Sequence, residues 1–182
     1  MELQGRRKLA ELRGRMLPKA LFVFLLAVWL PPAIPAATII LVRHAERSST
    51  MSADSLLSPA GEERARQLSQ ILKDSKIGRI YVTEVRRTRQ TAEPIAALLH
   101  LKPVVVAQKD TDALVRELRR LGDDETVLVV GHADTVPLII DRLGGGSVPP
   151  LADTEYDRLT VLSIGARGEA HVLTLRYGNI AQ

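Results

Sequence analysis

The chain has 182 residues, with 25 Lys+Arg against 21 Asp+Glu, 46% hydrophobic and 3% aromatic residues, and no cysteine. Lack of cysteine excludes disulfides and thiolate metal sites, so stability must come from a packed core. Six of the 25 cations and two of the 21 anions fall in residues 1–37, leaving 19 of each in residues 38–182, which excludes a broad basic face for nucleic acid.

Residues 1–37 stand apart from the rest. Arg6, Arg7, Lys8, Arg13, Arg15 and Lys19 precede an apolar run at 20–30 and a Pro- and Ala-rich exit at 31–37. This is the layout of a secretory signal peptide, and it predicts a periplasmic or secreted protein. A retained membrane anchor is the rival reading, because residues 20–37 approach the length of a spanning helix although three prolines interrupt them. Only in that case would the membrane be a partner. The Arg6-Arg7 pair fits a twin-arginine signal poorly.

The domain at 38–182 opens with T-I-I-L-V, an aliphatic run suited to a strand buried on both faces, which ends at Arg43 and His44. Residues 47–57 read as a polar loop. Ser58-Pro59 then begins a helix as N-cap and first position, with Glu62 and Glu63 near its positive end and Leu68, Ile71 and Leu72 as its apolar face. Residues 77–83 form a second strand. The basic segment 86–90 opens a helix that Pro94 restarts, burying Ile95, Leu98 and Leu99.

A third strand at 103–107, an amphipathic helix at 111–121 ended by Gly122, and a fourth strand at 126–130 follow. A helix at 137–143 stops at Gly144-Gly145-Gly146. Strands at 158–164 and 170–177 flank Gly165-Ala166-Arg167-Gly168, a hairpin signal. Alternating strands and helices with a terminal hairpin predict a three-layer α/β/α sandwich whose sheet is mostly parallel, with an antiparallel edge.

Chemistry gathers at strand ends. Arg43 and His44 end the first strand, and residues 128–132 deliver His132 in the same way. Ligands of open α/β sheets bind at that carboxyl edge. With Arg86, Arg87 and Arg89 nearby in sequence order, two imidazoles and several guanidiniums suit a tetrahedral dianion: guanidinium forks match phosphate oxygens, and imidazole can attack phosphorus. A solvated strand-end pair is the plainer reading of Arg43 and His44 alone. Arg86, Arg87 and Arg89 cannot all face one pocket at helical spacing, so at least one is a surface charge. His100 and His171 read as structural.

At R-H-A-E (43–46), L-S-P-A-G (57–61), R-T-R-Q-T-A (87–92) and V-G-H-A-D-T-V-P (130–137) the chain resembles the histidine phosphatase superfamily, the phosphoglycerate mutase-like proteins, in its small single-domain form. Chemistry and resemblance give the same roles: Arg43 and Arg87 clamp the phosphoryl group, His132 supplies a third donor, and His44 is the nucleophile. Arg47 stands where many relatives carry Thr or Lys and is a candidate phosphate or substrate contact. Glu46 orients the site. No metal or other cofactor is expected, because arginine neutralises the charge and no carboxylate cluster offers itself.

The chain departs from the family's pattern at the proton donor, since the segment that supplies a catalytic Glu in many relatives is missing after the third strand. Asp110, Asp112 and Asp134 are the candidates, with Glu84 behind them; Asp110 is taken first, although capping of a helix explains Asp110 and Asp112 equally well. The expected function is an exported phosphomonoesterase that hydrolyses a phosphorylated small molecule or phosphohistidine through a phosphohistidine on His44. A phosphoglycerate-mutase-type transferase, which would need lid insertions, and a non-catalytic phosphate binder are the alternatives.

Overall fold

The computed structural model describes residues 36–49 and 51–178; the expected export segment lies outside the described residues. Six strands form one sheet in the order β3-β2-β4-β1-β5-β6, where β1 is Ala36–Arg43, β2 Arg79–Val82, β3 Val104–Val105, β4 Thr126–Gly131, β5 Arg158–Gly165 and β6 Ala170–Arg176. The first four in that spatial order run parallel, while β5 is antiparallel to β1 and to β6. Four α-helices complete the described domain: α1 Pro59–Leu72, α2 Arg86–Leu98, α3 Thr111–Leu118 and α4 Thr135–Ile140. Among the described residues no helix is long and apolar enough to cross a membrane.

The aliphatic runs alternate between two cores, as the two-residue period of a strand requires. Ile39, Leu41, Val127, Val129 and Tyr81 pack with Leu114, Leu118 and Ile139 of α3 and α4. Ile40, Val42, Leu128, Val130, Ile80 and Val82 pack with Leu68 and Leu72 of α1 and Ile95 of α2. This is the expected α/β/α sandwich. Ser58 caps α1 by accepting from the Gly61 amide at 3.2 Å, with Pro59 in the first turn.

Several boundaries differ from the sequence reading. β1 begins at Ala36, because Ala36 and Ala37 pair with Gly165 and Ile164 of β5, so the strand takes in two residues of the expected leader. Ile71 is 53% exposed and Leu98 48% exposed, because each lies off its helix's buried stripe. Helix α2 runs unbroken through Pro94. The proline removes one backbone donor, while Thr91, Ala92, Ile95 and Ala96 keep both flanks packed. β3 shrinks to two residues, an edge strand exposed on both sides. Helix α3 ends at Leu118, three residues short of expectation, and follows a 3₁₀ turn at Gln108–Asp110. Helix α4 starts at Thr135, capped by Asp134, and passes into a π turn at Asp141–Gly145.

Candidate active site

Strand register sets the site. Val82, Val130 and Val42 lie side by side on β2, β4 and β1, and Arg43 pairs with Gly131. One residue further along β2 is Thr83, and two residues further along β4 and β1 are His132 and His44, all delivered at the carboxyl edge. The His44 amide donates to the Gly131 carbonyl at 2.9 Å, and the two imidazole centroids are 5.4 Å apart, edge to face. Both side chains are buried.

Each ring has a definite tautomer, because its partners can act only one way. His44 Nδ1 lies 2.8 Å from the Ala45 carbonyl, which only accepts, so Nδ1 carries the hydrogen and Nε2 keeps its lone pair. His132 Nδ1 faces Arg87 Nη2 at 3.3 Å, and a guanidinium only donates, so the hydrogen of the neutral ring sits on Nε2. That Nε2–H donates to Thr83 Oγ1 at 3.0 Å. Thr88 Oγ1 spends its hydrogen on the Val85 carbonyl at 2.9 Å, so it accepts from Thr83 Oγ1 at 3.0 Å. The run His132 → Thr83 → Thr88 → Val85 thus has one direction.

Electrostatics keep both rings neutral at pH 7. Burial pushes His44 down to about 3, with the cations Arg87 and Arg43 adding and the Ala45 hydrogen bond opposing. Burial and then Arg87 push His132 down to about 4, partly offset by the charges of Asp134 and Glu84. A base with an unprotonated Nε2 in a buried, cationic setting is what attack on phosphorus needs.

Arg43 and Arg87 act on both imidazoles, and Arg47 acts on these two guanidiniums. Arg43 donates from Nη1 to the carbonyls of Ala152, Asp153 and Glu155 at 2.7, 3.1 and 3.2 Å, and its Cζ lies 4.3 Å from the Tyr156 ring centroid. Arg87 is held by the Ala53 carbonyl at 2.6 Å and by His132. The Nε atoms of Arg43, Arg47 and Arg87 are each buried with no hydrogen-bond partner among the described residues. Unsatisfied buried donors are costly, and three in one pocket mark a place for an acceptor-rich anion. Burial lowers the pKa of Arg43 and of Arg87, and Arg47 lowers both further.

The structure brings together Arg43, His44, Arg47, Arg87 and His132. Arg86 and Arg89 are exposed, where helical spacing required at least one of the three arginines to be a surface charge. Asp110 is exposed at the N-cap position of α3, and among the described residues no hydrogen bond or ion pair joins its carboxylate to the pocket. Asp112 pairs with Arg142. Asp134 Oδ1 accepts from the Thr135 amide at 2.8 Å. Glu84 accepts from the Gln108 amide at 2.9 Å, and hydrogen bonds from its own and that backbone N–H hold its carboxyl below the usual range. Glu46 sits behind the motif, gripped by Arg64 Nε at 2.9 and 3.0 Å and Nη2 at 2.8 Å. A Cβ at Gly61 would fall 2.2 Å from the Glu46 carbonyl oxygen, which ties α1 tightly to the strand end.

Sequence reading missed Thr83 and Tyr156. Thr83 carried a faint signal, a hydroxyl at the end of a strand three residues before the basic run. Tyr156 carried another, an aromatic in a loop of a chain with few aromatics; its centroid is 6.0 Å from that of His44. Among the described residues no group of three or more His, Cys, Asp or Glu could hold a metal ion.

The sequence model of the histidine phosphatase superfamily (branch 1) matches residues 39–110, which include Arg43, His44, Arg47 and Arg87. No curated protein matches the chain. Among solved structures, the chain is similar to the protein histidine phosphatase SixA complexed with tungstate, at 21% identity and TM-score 0.61, over 76% of this chain and 96% of that one. It is similar to the mycobacterial glucosyl-3-phosphoglycerate phosphatase at 16% identity and TM-score 0.62, over 79% and 100%. The alpha-ribazole phosphatase from Shigella flexneri gives 15% identity and TM-score 0.64, over 76% and 96%. At these identities the likeness shows the fold.

Proposed function

We propose that this chain, which belongs to the histidine phosphatase superfamily, is a phosphatase that works through a covalent phosphohistidine on His44. The observation that carries this reading is the His44 tautomer: Nδ1–H is spent on the Ala45 carbonyl, leaving Nε2 unprotonated beside three guanidiniums with free Nε donors. Nε2 attacks phosphorus as the bond to the leaving group breaks, and water then hydrolyses the N–P bond. Arg43 and Arg87, pre-oriented by carbonyls, stabilise the charge on the equatorial oxygens without reorganising. The reaction then needs no metal.

The carboxyls around the pocket are poorly suited to keep a proton for an alkoxide. Glu84 is held in its ionised form, Asp112 is paired with Arg142, and Asp110 makes no bond to the pocket. This favours leaving groups that need little protonation, such as an aryl or acyl phosphate, or a phosphoramidate like phosphohistidine. SixA, whose fold is similar, is by name a protein histidine phosphatase. The basic and apolar start of the chain supports work outside the cytoplasm, to be checked by fractionating cells that express the tagged full chain.

The test is acid quenching after brief incubation with labelled p-nitrophenyl phosphate, chelator present. A base-stable, acid-labile label on the His44 peptide is expected, with none in His44→Ala. Label on His132 would reverse the assignment, and loss of turnover with chelator would overturn metal independence.

A further inference from the structure

Arg47 is held differently from its two neighbours. Arg43 hangs on three carbonyls, and Arg87 on one carbonyl and an imidazole. Arg47 makes no side-chain hydrogen bond or ion pair among the described residues, yet its Nε is buried. Its backbone is firmly placed: Arg47 bridges Leu57, the Ser48 amide donates to the Leu56 carbonyl at 2.9 Å, and the Ser58 amide to the Glu46 carbonyl at 2.9 Å. A fixed stem therefore carries a guanidinium with all five donors uncommitted.

Its charge is also uncompensated. Arg47 is among the charges that lower the pKa of Arg43 and of Arg87, so the three cations repel one another across the pocket. The acids that act on the clamps are occupied elsewhere or reach a different arginine. Asp54, which acts on Arg87, accepts from the Arg86 amide at 2.7 Å. Glu155 and Asp153 act on Arg43, and Glu155 is taken by Arg158 and Arg176. Both imidazoles are neutral. A phosphoryl dianion carries about two negative charges and is matched by Arg43 and Arg87. The third cation is left for something else.

We propose that Arg47 forms a second anion subsite beside the phosphoryl pocket, so that the substrate carries a further anionic oxyacid group, carboxylate or phosphate, within a few bonds of the phosphorylated atom. This rests on the phosphatase reading above. The planar fork of Arg47 offers Nε and one Nη to two oxygens of that group, the bidentate geometry arginine provides and lysine does not. Occupation relieves the repulsion among the three cations and satisfies the buried Nε.

The experiment measures competitive inhibition of p-nitrophenyl phosphate hydrolysis by phosphoglycolate and by ethyl phosphate, near-isosteres that differ in the second anion. Wild type should bind phosphoglycolate more tightly by about tenfold or more, the scale of one charge-assisted bidentate contact. In Arg47→Gln that preference should collapse to within about twofold, and Arg47→Lys should restore only part of it. Equal affinity in wild type, or a preference that survives Arg47→Gln, overturns the subsite. If Arg47→Gln weakens both inhibitors by the same factor, Arg47 is a third phosphoryl clamp and the proposal falls. If wild type does not turn over p-nitrophenyl phosphate, the phosphatase reading fails, and titration calorimetry with the same two ligands still decides the subsite by the same ratio.

Discussion

Replacing Thr83 with valine removes one hydroxyl, keeps the shape, and strikes the device that fixes His132. The hydroxyl lies 3.0 Å from His132 Nε2 and is the acceptor of its only hydrogen. In Thr83→Val that N–H is buried without an acceptor, which costs about 1–3 kcal/mol. The ring can escape by moving its hydrogen to Nδ1, but Nδ1 then faces the Arg87 guanidinium with donor against donor. Either way the pocket loses its arrangement at Arg87 and His132, and the cost corresponds to roughly 10- to 100-fold in kcat/KM. Thr88 stays satisfied, since it still accepts from the Thr83 amide at 3.2 Å and donates to Val85, so the fold should survive. The assay is kcat/KM on p-nitrophenyl phosphate from pH 5 to 8, with a melting curve as the control for folding. Thr83→Ser, which keeps the hydroxyl, should recover most of the activity. If Thr83→Val stays within about twofold of wild type, or Thr83→Ser falls as far as Thr83→Val, the hydrogen-bond run has no role in catalysis.

Arg87→Ala should lower kcat/KM by about 10²-fold or more, in line with removal of a transition-state donor, while Arg86→Ala and Arg89→Ala, both exposed, should change it less than about threefold. Similar losses at all three would mean that the helix presents a different face. His44 and His132, lowered to about 3 and about 4, bind fewer protons folded than unfolded below pH 6.5, so their contribution to stability is complete above that pH and is lost as pH falls through 4 towards 3. Melting temperatures should therefore drop between pH 6 and 4, less so in His132→Gln, and an unchanged slope in that variant would contradict the shift. Asp110→Asn should lower turnover of an alkyl phosphate and of p-nitrophenyl phosphate by the same small factor; a loss confined to the alkyl ester would restore Asp110 as the general acid.

What could be read from the sequence was what repeats or what is covalently local. The middle of β1 (39–42) and of β4 (127–130) is aliphatic at every position because two cores cover both faces, and such runs are visible without context. The Ser58-Pro59 start of α1 is legible because a cap is a short-range event. β3 was overestimated because its valines mimic a buried strand, whereas it lies at the sheet edge, where Val104 and Val105 are 39% and 50% exposed. The grip on Arg43 was invisible for another reason. Its partners are backbone carbonyls of Ala152, Asp153 and Glu155, and a carbonyl has no residue identity to read. For Asp110, position after the third strand gives an approximate place on the sheet edge and nothing about direction; it ends the 3₁₀ turn and stands at the N-cap position of α3, where its side chain makes no capping hydrogen bond.

The neutral histidines and the crowd of cations belong to one arrangement. Burial and the neighbouring guanidiniums strip the proton from both rings, which readies Nε2 of His44 and leaves Nδ1 of His132 as an acceptor for Arg87. A phosphoryl dianion entering this pocket reverses the balance, because an opposite charge favours the protonated imidazole. If the proposed function holds, Arg87 Nη2 would be drawn from Nδ1 to a phosphoryl oxygen, and Nδ1 would lose the donor that keeps it bare. His132 then gains from taking up a proton there, while Nε2–H stays on Thr83. On the proposed function, the ring that accepts from Arg87 in the free protein would act as a third donor with substrate bound. On the proposed function, nucleophile and donor need opposite proton states from two rings 5.4 Å apart, and the carbonyl on one and the threonine run on the other would let the pair divide the roles.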